Sequence, residues 1–435
     1  MYKPIRIYCP NPTERHHYVF ELVFNNLLGI DFLYTEDINS SHINYSTEDS
    51  KSLQITPNSL LNESFVRYDI LNDIKFVQWQ RTVIFFKNDN QKVPFDIFSA
   101  IFFLVTRYEE YLDFNPDNHG RFPATESILF KNSVLELPLV NQWVKLLRIE
   151  LEKSFNLKFP IQKFNYKSTI DIDQAWKYKN KGLIRNSLGA FRDILKLNFS
   201  TLSERYAVLL KNKVDPYYNF QWQNFIHRQY NSDVTYFILV GNYSKYDKNI
   251  SYKNSEFRTL ICQLEEKNKV GIHPSYASNK NEYKLKNEFS KLNKVLSSNT
   301  SLSRQHYLIH SMPKTYQNLI SIGIQEDHTM GYSTHLGFRA GIASSFLWFN
   351  LSKNKKTNLK LTPFCLMDIT PMYYRKETPE QANRSIKNLI RSVRDIDGLF
   401  VSLWHNDSLS DSERWKGWRI VYSTMLEELN KAISE

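Results

Sequence analysis

The chain has 435 residues, of which 42% are hydrophobic and 23% are charged, and its formal net charge is +11. This length and composition indicate a soluble globular protein with two or three domains. The positive charge comes from lysines scattered among Asn and Ser rather than from a compact Lys/Arg run. That distribution argues against a nucleic-acid partner and leaves a phosphorylated sugar or an acidic glycan as the expected kind of anionic partner.

The three cysteines, Cys9, Cys262 and Cys365, lie far apart in the sequence. Their spacing excludes a cysteine zinc cluster and argues against a disulfide framework. The N-terminal residues lack the apolar core of a secretion signal. No apolar run approaches the roughly 20 residues that span a bilayer. We therefore expect a cytoplasmic protein without a membrane span.

Residues 1–160 are predicted to form an N-terminal α/β domain. Its predicted elements are strands at 5–8 and 83–86 and amphipathic helices at 95–112 and 139–155. A turn-rich loop between the two helices contains His119 and Arg121. Either these side chains contact a ligand or local hydrogen bonds pin the loop, and the sequence favours the second alternative.

From residue 165 onward, predicted strands alternate with predicted helices, which indicates a parallel sheet. Strands are predicted at 168–173, 234–240, 269–274, 303–308, 321–327, 359–367 and 399–405. Helices are predicted at 219–230, 255–267, 284–296, 378–395 and 415–433. The number of strand–helix units predicts that residues 165–435 form a seven-stranded (β/α) barrel, preceded by the smaller α/β domain.

Polar side chains occur at the carboxyl ends of most of these strands, where functional groups gather in parallel α/β folds. In chain order they are Asp171, Asp173, His273, Arg304, His306, Asp327, Asp368 and His405. Any single one is ambiguous, because a lone His or Asp is more often a structural residue. Several of them at one edge of a sheet predict a functional site.

The residue types of Asp173, His273 and His306 are those of a divalent-metal site with an open position, with zinc expected and nickel or cobalt as alternatives. Asp171 lies two residues from Asp173 and shares its strand face, so it is a candidate proton acceptor beside the metal. His405 is a candidate proton donor to a leaving group. Arg304 is expected to pair with Asp171 and keep it ionised. This set predicts metal-assisted hydrolysis of an ester or an amide.

Four short motifs follow one another in this half of the chain, namely TIDID at 169–173, GIHPS at 271–275, SRQH at 303–306 and SLWH at 402–405. Their order and spacing resemble the polysaccharide deacetylase (NodB-homology, carbohydrate esterase family four) superfamily. The whole chain is similar to a Bacteroidetes-type branch of it that carries an N-terminal domain of unknown function. The sequences TRYEEY at 106–111 and HGRFP at 119–123 carry that second similarity.

The resemblance implies a barrel of the deacetylase type, a catalytic-base role for Asp171 and a general-acid role for His405. The metal Asp of the family directly follows the base, whereas here one residue intervenes and Asp173 takes that place. Ala277 stands where the family has a second metal histidine. Two alternatives are open for that position: His306 fills it from the end of the next strand, or Ser275 or Ser278 positions a water there instead.

These observations predict a metal-dependent deacetylase that removes an N- or O-acetyl group from an amino sugar or a glycan intermediate of surface polysaccharide biosynthesis, with a phosphate-linked substrate as one form. The expected substrate contacts are Ser275, Asp327, Arg339, Asp368, Trp404 and Asn406. Two alternatives stay open. One is a catalytically silent protein that binds glycan or scaffolds a complex, and the other is an amidohydrolase acting on a small non-sugar amide.

Overall fold

The structure is a computed structural model that describes residues 2–89 and 91–434. Its N-terminal part contains a four-stranded parallel sheet with the order β2-β1-β3-β4 and a separate antiparallel pair, β5 and β6. These strands are β1 Ile5–Tyr8, β2 Phe32–Tyr34, β3 Ile43–Asn44, β4 Leu53–Gln54, β5 Val77–Trp79 and β6 Thr82–Ile84. The helices of this part are α1 Glu14–Phe20, α2 Ile97–Val105, α3 Ile128–Lys131 and α4 Leu139–Phe155.

Helix α2 is the centre of the N-terminal core, because all of its residues are buried. A helix that is apolar on every side is stable only when protein surrounds it. Asp96 caps its first turn by accepting hydrogen bonds from the backbone N–H groups of Phe98 and Ser99. The helix predicted at 95–112 ends earlier than expected, because Arg107 adopts a left-handed conformation with φ 54° and a 3-10 turn follows it.

The C-terminal part is built on a nine-stranded sheet with the order β12-β13-β11-β10-β9-β8-β7-β15-β14. Its strands are β7 Asn165–Ile172, β8 Val234–Ile238, β9 Lys269–Ile272, β10 Leu302–Ser303, β11 Glu326–Asp327, β12 Phe346–Asn350, β13 Lys355–Leu361, β14 Leu366–Met367 and β15 Leu399–His405. All neighbours pair in parallel except β12 and β13. The predicted mixed α/β class is therefore confirmed.

Helices connect most of the parallel strands. They are α5 Gly182–Leu195, α6 Phe199–Leu210, α7 Phe220–Gln229, α8 Ser255–Glu265, α9 Glu282–Asn293, α10 Lys314–Ser321, α11 Pro379–Arg394 and α12 Trp418–Ser434. Helix α11 shows how the sequence specifies such an element. Thr378 and Gln381 form a capping box and Pro379 occupies the first turn, where its missing N–H costs nothing. No helix in residues 2–89 and 91–434 is long and apolar enough to cross a membrane.

The predicted closed barrel is not confirmed, because the hydrogen-bonded order of the described strands is open at β12 and β14. The strand predicted at 359–367 is split into β13, which pairs with β11, and β14, which pairs with β15. Pro363 lies between the two parts and has no N–H for a ladder. Four residues span at most about 14 Å, so the sheet must curl until its two ends lie near each other.

The strands predicted at 303–308 and 321–327 are also shorter than expected, since β10 and β11 contain two residues each. The chain turns after β10, and residues 306–308 form a 3-10 turn. This early end has a physical reason. The side chains that follow Ser303 bind groups on neighbouring strands, and an extended strand would point them alternately to opposite faces.

The division at residue 160 stays a prediction, since one hydrophobic core continues through both parts of the chain. Their junction contains a buried ionic network centred on Glu110. This carboxylate lies 2.7 Å from the Nε of Arg107 and 2.7 Å from an Nη of Arg339, and all three side chains are at most 3% exposed. Arg107 also donates a hydrogen bond to the backbone carbonyl of Arg339.

Replacing Glu110 leaves two buried guanidinium groups without their shared carboxylate. We expect Glu110→Ala to lower the free energy of unfolding by about 3–5 kcal/mol, measured by chemical denaturation. Glu136→Ala is the matched control, because Glu136 also joins the two parts through Arg375, at 3.0 Å, but lies on the surface. The control should lose less than about 1 kcal/mol. Equal losses in the two variants would contradict a special role for the buried network.

Candidate metal centre

The site lies at the carboxyl ends of adjacent parallel strands. Asp171 belongs to β7 and Asp173 follows it, while His273 follows β9 and His306 follows β10. His405 is the last residue of β15 and pairs in register with Asp171. The sheet order therefore brings together side chains that are far apart in the sequence.

Asp173, His273 and His306 form the only group of three or more metal-ligand side chains found within the described parts of the chain, and their ligand atoms lie within 4.8 Å of one another. The Nε2 atom of His273 is 3.2 Å from one carboxylate oxygen of Asp173. The Nε2 atom of His306 is 3.3 Å from the other oxygen. Both imidazoles are buried, so these atoms face one small point inside the protein.

In each imidazole, the hydrogen bond made by the Nδ1 atom indicates where a ring proton lies and therefore which nitrogen faces Asp173. The Nδ1 atom of His273 lies 2.6 Å from the backbone carbonyl of Arg304, which can only accept a hydrogen bond, so Nδ1 carries the proton. The Nδ1 atom of His306 lies 2.9 Å from a carboxylate oxygen of Asp247 and is protonated for the same reason. With Nδ1 engaged in this way, the Nε2 atom of each ring faces Asp173 and is the nitrogen that can bind a metal ion.

Three electron-pair donors that face one another need a cation between them. One oxygen of Asp173 is buried and has no hydrogen-bond donor among the described residues. Burial lowers the pKa of His306, but the carboxylates of Asp173 and Asp247 outweigh it and raise that pKa to about 9. The surroundings therefore favour positive charge at this point. Histidine ligands that donate their other N–H to a carboxylate or a carbonyl are typical of divalent-metal sites, so the residues fit such an ion.

Asp171 is held by an ion pair inside the protein. One of its oxygens accepts a hydrogen bond from Arg304 at 2.9 Å, and both side chains are at most 2% exposed. Arg304 is fixed in turn by its Nε, which donates to the backbone carbonyl of His328 at 3.0 Å. The other oxygen of Asp171 lies 3.6 Å from the Nε2 atom of His273. The contact expected between Arg304 and Asp171 is thus present, and it orients one carboxylate oxygen toward the three-ligand group.

His405 is paired with a buried carboxylate, Asp368. Asp368 accepts hydrogen bonds from the backbone N–H of His405 at 2.7 Å and from its Nδ1 at 3.0 Å. Burial lowers the pKa of His405, but the carboxylates of Asp368, Asp173 and Asp171 outweigh it and raise that pKa well above its usual value. These carboxylates therefore favour the protonated imidazole, in which Nδ1 is engaged by Asp368 and Nε2 can donate a proton.

A cavity of about 330 Å³ opens over these residues. Its wall includes Asp171, Asp173, His273, His306 and His405 together with Gln174, Gln305, Leu308, Ser333, Met367, Ile369, Asp407, the aromatic side chains His119, Tyr246, Tyr307, Tyr374 and Trp415, and the cationic side chains Arg121, Lys248 and Arg414. Tyr246 also stacks on Tyr276, with ring centroids 4.1 Å apart. The wall thus combines carboxylates and imidazoles on the sheet side with rings and cations from the loops.

The six predicted substrate contacts do not line this cavity, and each has another role. Ser275 binds Glu288 through its backbone N–H and its hydroxyl, at 2.9 and 2.6 Å. Asp327 accepts hydrogen bonds from Ser303 and Thr329 at the end of β11. These contacts hold the loops that follow the strands. Ser275 and Asp327 thus lie outside the cavity lining, and their contact with a substrate stays a prediction.

The other four predicted contacts also lie outside the cavity lining and make structural contacts instead. Asp368 orients His405, and Arg339 is engaged by Glu110 at the junction. Trp404 is fully buried on the opposite strand face, where its ring lies 4.9 Å from that of Tyr422. Asn406 donates hydrogen bonds to the backbone carbonyls of residues 174 and 217. All four side chains lie outside the cavity lining and stabilise the residues that form its wall.

Several residues of the site cannot be predicted from the ends of the strands, because they lie on loops. Asp247 comes from the long segment between β8 and α8, and its contact with His306 depends on how that segment folds back. His119 and Arg121 do line the cavity, although the loop is also pinned locally by an ion pair between Arg121 and Asp117 at 2.7 Å. Arg121 further donates a hydrogen bond to the backbone carbonyl of Tyr307 at 2.6 Å.

Residues 5–156 match a protein family of unknown function, DUF7033. No curated protein matches the chain. Among solved structures, the chain is similar to a protein assigned as a polysaccharide deacetylase from Mycobacterium smegmatis, with 15% identity and a TM-score of 0.40 over 62% of this chain and 86% of that one. It is also similar to a polysaccharide deacetylase from Bacillus cereus, with 12% identity and a TM-score of 0.31 over 62% and 88% of the two chains.

A third similar structure is a 4-alpha-glucanotransferase from Thermococcus litoralis, with 10% identity and a TM-score of 0.37 over 63% of this chain and 38% of that one. Similarities this distant do not establish an activity. Conclusions about function therefore depend on the geometry of the metal centre and its cavity.

Protein purified without chelator should hold about one equivalent of divalent metal per chain, measured by elemental analysis. We expect His273→Ala and His306→Ala to lose it, since each removes one of three ligands. Asp247→Asn should weaken metal affinity by about 10–100-fold, because it disturbs the support of His306. His17→Ala, at an exposed histidine, is the control and should keep the metal. Metal retained in His306→Ala, or none bound by the wild type after incubation with zinc, would contradict this centre.

Proposed function

We propose that the protein is a metal-dependent hydrolase that removes an acetyl group from a carbohydrate. One observation carries this proposal. Two imidazoles with fixed tautomers converge on Asp173, and an arginine-bound carboxylate and a protonated histidine stand in the same cavity wall. Such a set of groups can catalyse metal-assisted hydrolysis of an amide or an ester at neutral pH.

Asp173, His273 and His306 would hold the cation. Two imidazoles and one carboxylate suit zinc, and nickel or cobalt also accept them, with positions left open for water and substrate. When bound, the ion supplies Lewis-acid chemistry, in that it polarises a carbonyl oxygen and lowers the pKa of water.

Asp171 is the proposed general base. Its ion pair with Arg304 fixes the carboxylate inside the protein and leaves one of its oxygens directed toward His273. The oxygen that faces His273 can accept a proton from the water that attacks the acetyl carbon. Arg304 acts through Asp171 and through its backbone carbonyl on His273, so it is a positioning residue for both groups.

His405 is the proposed general acid. As the bond between the acetyl carbon and the sugar nitrogen or oxygen breaks, the Nε2 proton of His405 passes to the departing amine or alkoxide. Acetate and the free sugar group are then the products, and the proton taken up by Asp171 balances the one that His405 has lost. Asp368 stabilises the imidazolium form that this step needs.

The loops of the cavity suit a sugar substrate with an anionic group. Tyr246 and Tyr307 offer aromatic rings of the kind on which sugar rings stack. Arg121 and Lys248 bring positive charge to the same cavity, where they can bind a phosphate. A volume of about 330 Å³ admits one or two sugar rings. We therefore propose an acetylated sugar, including a phosphate-linked form, as the substrate class.

Replacing Asp171 tests the base directly. We expect Asp171→Asn to keep the metal but to lower kcat on an acetylated amino sugar by about 10²–10⁴-fold. Acetate release measures the rate, and Asp233→Asn, at an exposed aspartate, is the control. Unchanged turnover in Asp171→Asn would remove this residue from the mechanism. Glycan binding by the metal-loaded wild type without any acetate release would favour the catalytically silent alternative.

The pH dependence of kcat tests His405. The carboxylate of Asp368 raises the pKa of His405, so Asp368→Asn should lower that pKa. The protonated acid is then lost at a lower pH, and the alkaline limb of the kcat profile should move toward neutrality. Asp395→Asn, on the surface, should leave the profile unchanged. An alkaline limb at the same pH in Asp368→Asn would contradict the general-acid role.

A further inference from the structure

Residues 182–214 form a helical hairpin of α5 and α6 in which exposed apolar side chains are concentrated, whereas those of the other described residues are scattered along the chain. Its exposed apolar side chains are between 37% and 88% exposed, and they are Leu183, Ile184, Leu188, Phe191, Ile194, Leu195, Leu197, Phe199, Tyr206, Leu209, Leu210 and Val214. Scattered apolar residues are normal on a protein surface, but a contiguous group of this size marks a binding surface.

The exposed residues of α5 occupy one side of the helix. At 100° per residue, its six exposed apolar positions fall within an arc of about 140°. Arg192 and Lys196 lie next to one edge of that arc and are exposed. Such an arrangement, a broad apolar face bordered by cations, is typical of helices that lie in the interface of a membrane.

The inner side of the hairpin is polar, so the usual orientation of an amphipathic helix is reversed. Arg205 of α6 pairs with the buried Asp193 of α5 at 2.7 Å and donates a hydrogen bond to Asn186 at 3.1 Å. Arg185 donates to the backbone carbonyls of Lys248 and residue 249 at 2.8 and 3.1 Å. These contacts hold the hairpin on the protein through polar groups and leave its apolar face directed outward.

Among the described residues of the hairpin, every exposed charged side chain is cationic. Four cationic side chains are exposed, namely Arg192, Lys196, Lys211 and Lys213. Both acidic residues of the segment are engaged, since Asp193 is buried with Arg205 and Glu204 lies 2.7 Å from Lys177. A partner for this surface must therefore offer an apolar layer that covers these side chains and negative charges that pair with the cations.

We propose that the 182–214 hairpin docks onto the surface of an anionic lipid bilayer. Lipid acyl chains would cover the apolar face, and anionic headgroups would lie beside the four cations. A second copy of the chain is a poorer occupant, because the same face of that copy offers cations and no exposed carboxylate to pair with them. The docking goes beyond the proposed hydrolase and does not depend on it.

The hairpin is also connected to the rim of the cavity. Lys181, just before α5, donates a hydrogen bond to Gln174 at 2.7 Å, and Gln174 lines the cavity. Arg185 binds the carbonyl of Lys248, another cavity residue. Docking would thus hold the cavity near the bilayer surface. If the proposed function is correct, this position selects an acetylated sugar that is carried on a lipid phosphate, and that consequence alone depends on the hydrolase activity.

Co-sedimentation with vesicles tests the docking. The full chain is mixed with vesicles of phosphatidylcholine alone or of phosphatidylcholine with phosphatidylglycerol. We expect the wild type to sediment with the phosphatidylglycerol vesicles and much less with the neutral ones. Leu188→Glu/Leu195→Glu should weaken this partition by at least about tenfold. Lys196→Gln/Lys211→Gln should weaken it by roughly tenfold on anionic vesicles only.

Tyr283→Glu/Ile420→Glu is the matched control, because it places the same charges at two exposed apolar residues outside the hairpin, and its binding should equal that of the wild type. Asp171→Asn should also bind vesicles normally, which separates docking from hydrolysis. Equal binding by Leu188→Glu/Leu195→Glu, equal binding to neutral vesicles, or no binding by the wild type would overturn the proposal. If the wild type is a dimer that does not bind vesicles, and Leu188→Glu/Leu195→Glu converts it to a monomer, then the occupant of this surface is a second copy of the chain.

Discussion

The functional end of this protein depends on the convergence of two imidazole lone pairs and one carboxylate on a single buried point. Electron-pair donors repel one another, and burial makes that repulsion costly unless a cation lies between them. The Nδ1 atom of each imidazole is engaged, in His273 by the carbonyl of Arg304 and in His306 by Asp247, so the Nε2 atoms are the ones that face Asp173. The arrangement is stable only as part of a site that receives positive charge.

The surrounding hydrogen bonds and ion pairs hold the groups around this point in place. Arg304 has two roles, since its backbone carbonyl orients His273 while its guanidinium orients Asp171. Asp368 orients His405 on the neighbouring strand. Arg304 thus positions one metal ligand and the proposed base, and Asp368 positions the proposed acid. A change at Arg304 is therefore expected to affect His273 and Asp171 together.

The N-terminal part of the chain contributes to the site as well as to the core. His119 and Arg121 line the cavity, and Arg121 binds the carbonyl of Tyr307 in the loop after His306. The buried network of Glu110 with Arg107 and Arg339 fixes this part against the sheet. The cavity is therefore completed by both parts of the chain, which explains why the loop at 117–123 has to be held in one conformation.

The sequence predicted those features that depend on neighbouring strands. Consecutive parallel strands pair with one another, so polar residues at the ends of β9 and β10 had to meet, and His273 and His306 do. It could not predict what depends on loops or on distant contacts. Asp247 reaches His306 from a long connection, and the partner of Arg339 lies 229 residues away in the sequence. The predicted closed barrel is not confirmed, and one expected strand is divided at Pro363 into β13 and β14, which pair with different neighbours.

Crystals grown with zinc, with diffraction recorded on both sides of the zinc absorption edge, test the central claim most directly. The account predicts one strong anomalous peak at about 2.0–2.2 Å from a carboxylate oxygen of Asp173 and from the Nε2 atoms of His273 and His306. The Nδ1 atoms should keep their contacts with the carbonyl of Arg304 and with Asp247. A zinc-soaked crystal without a peak at this point, or with His306 turned away from it, would contradict the account.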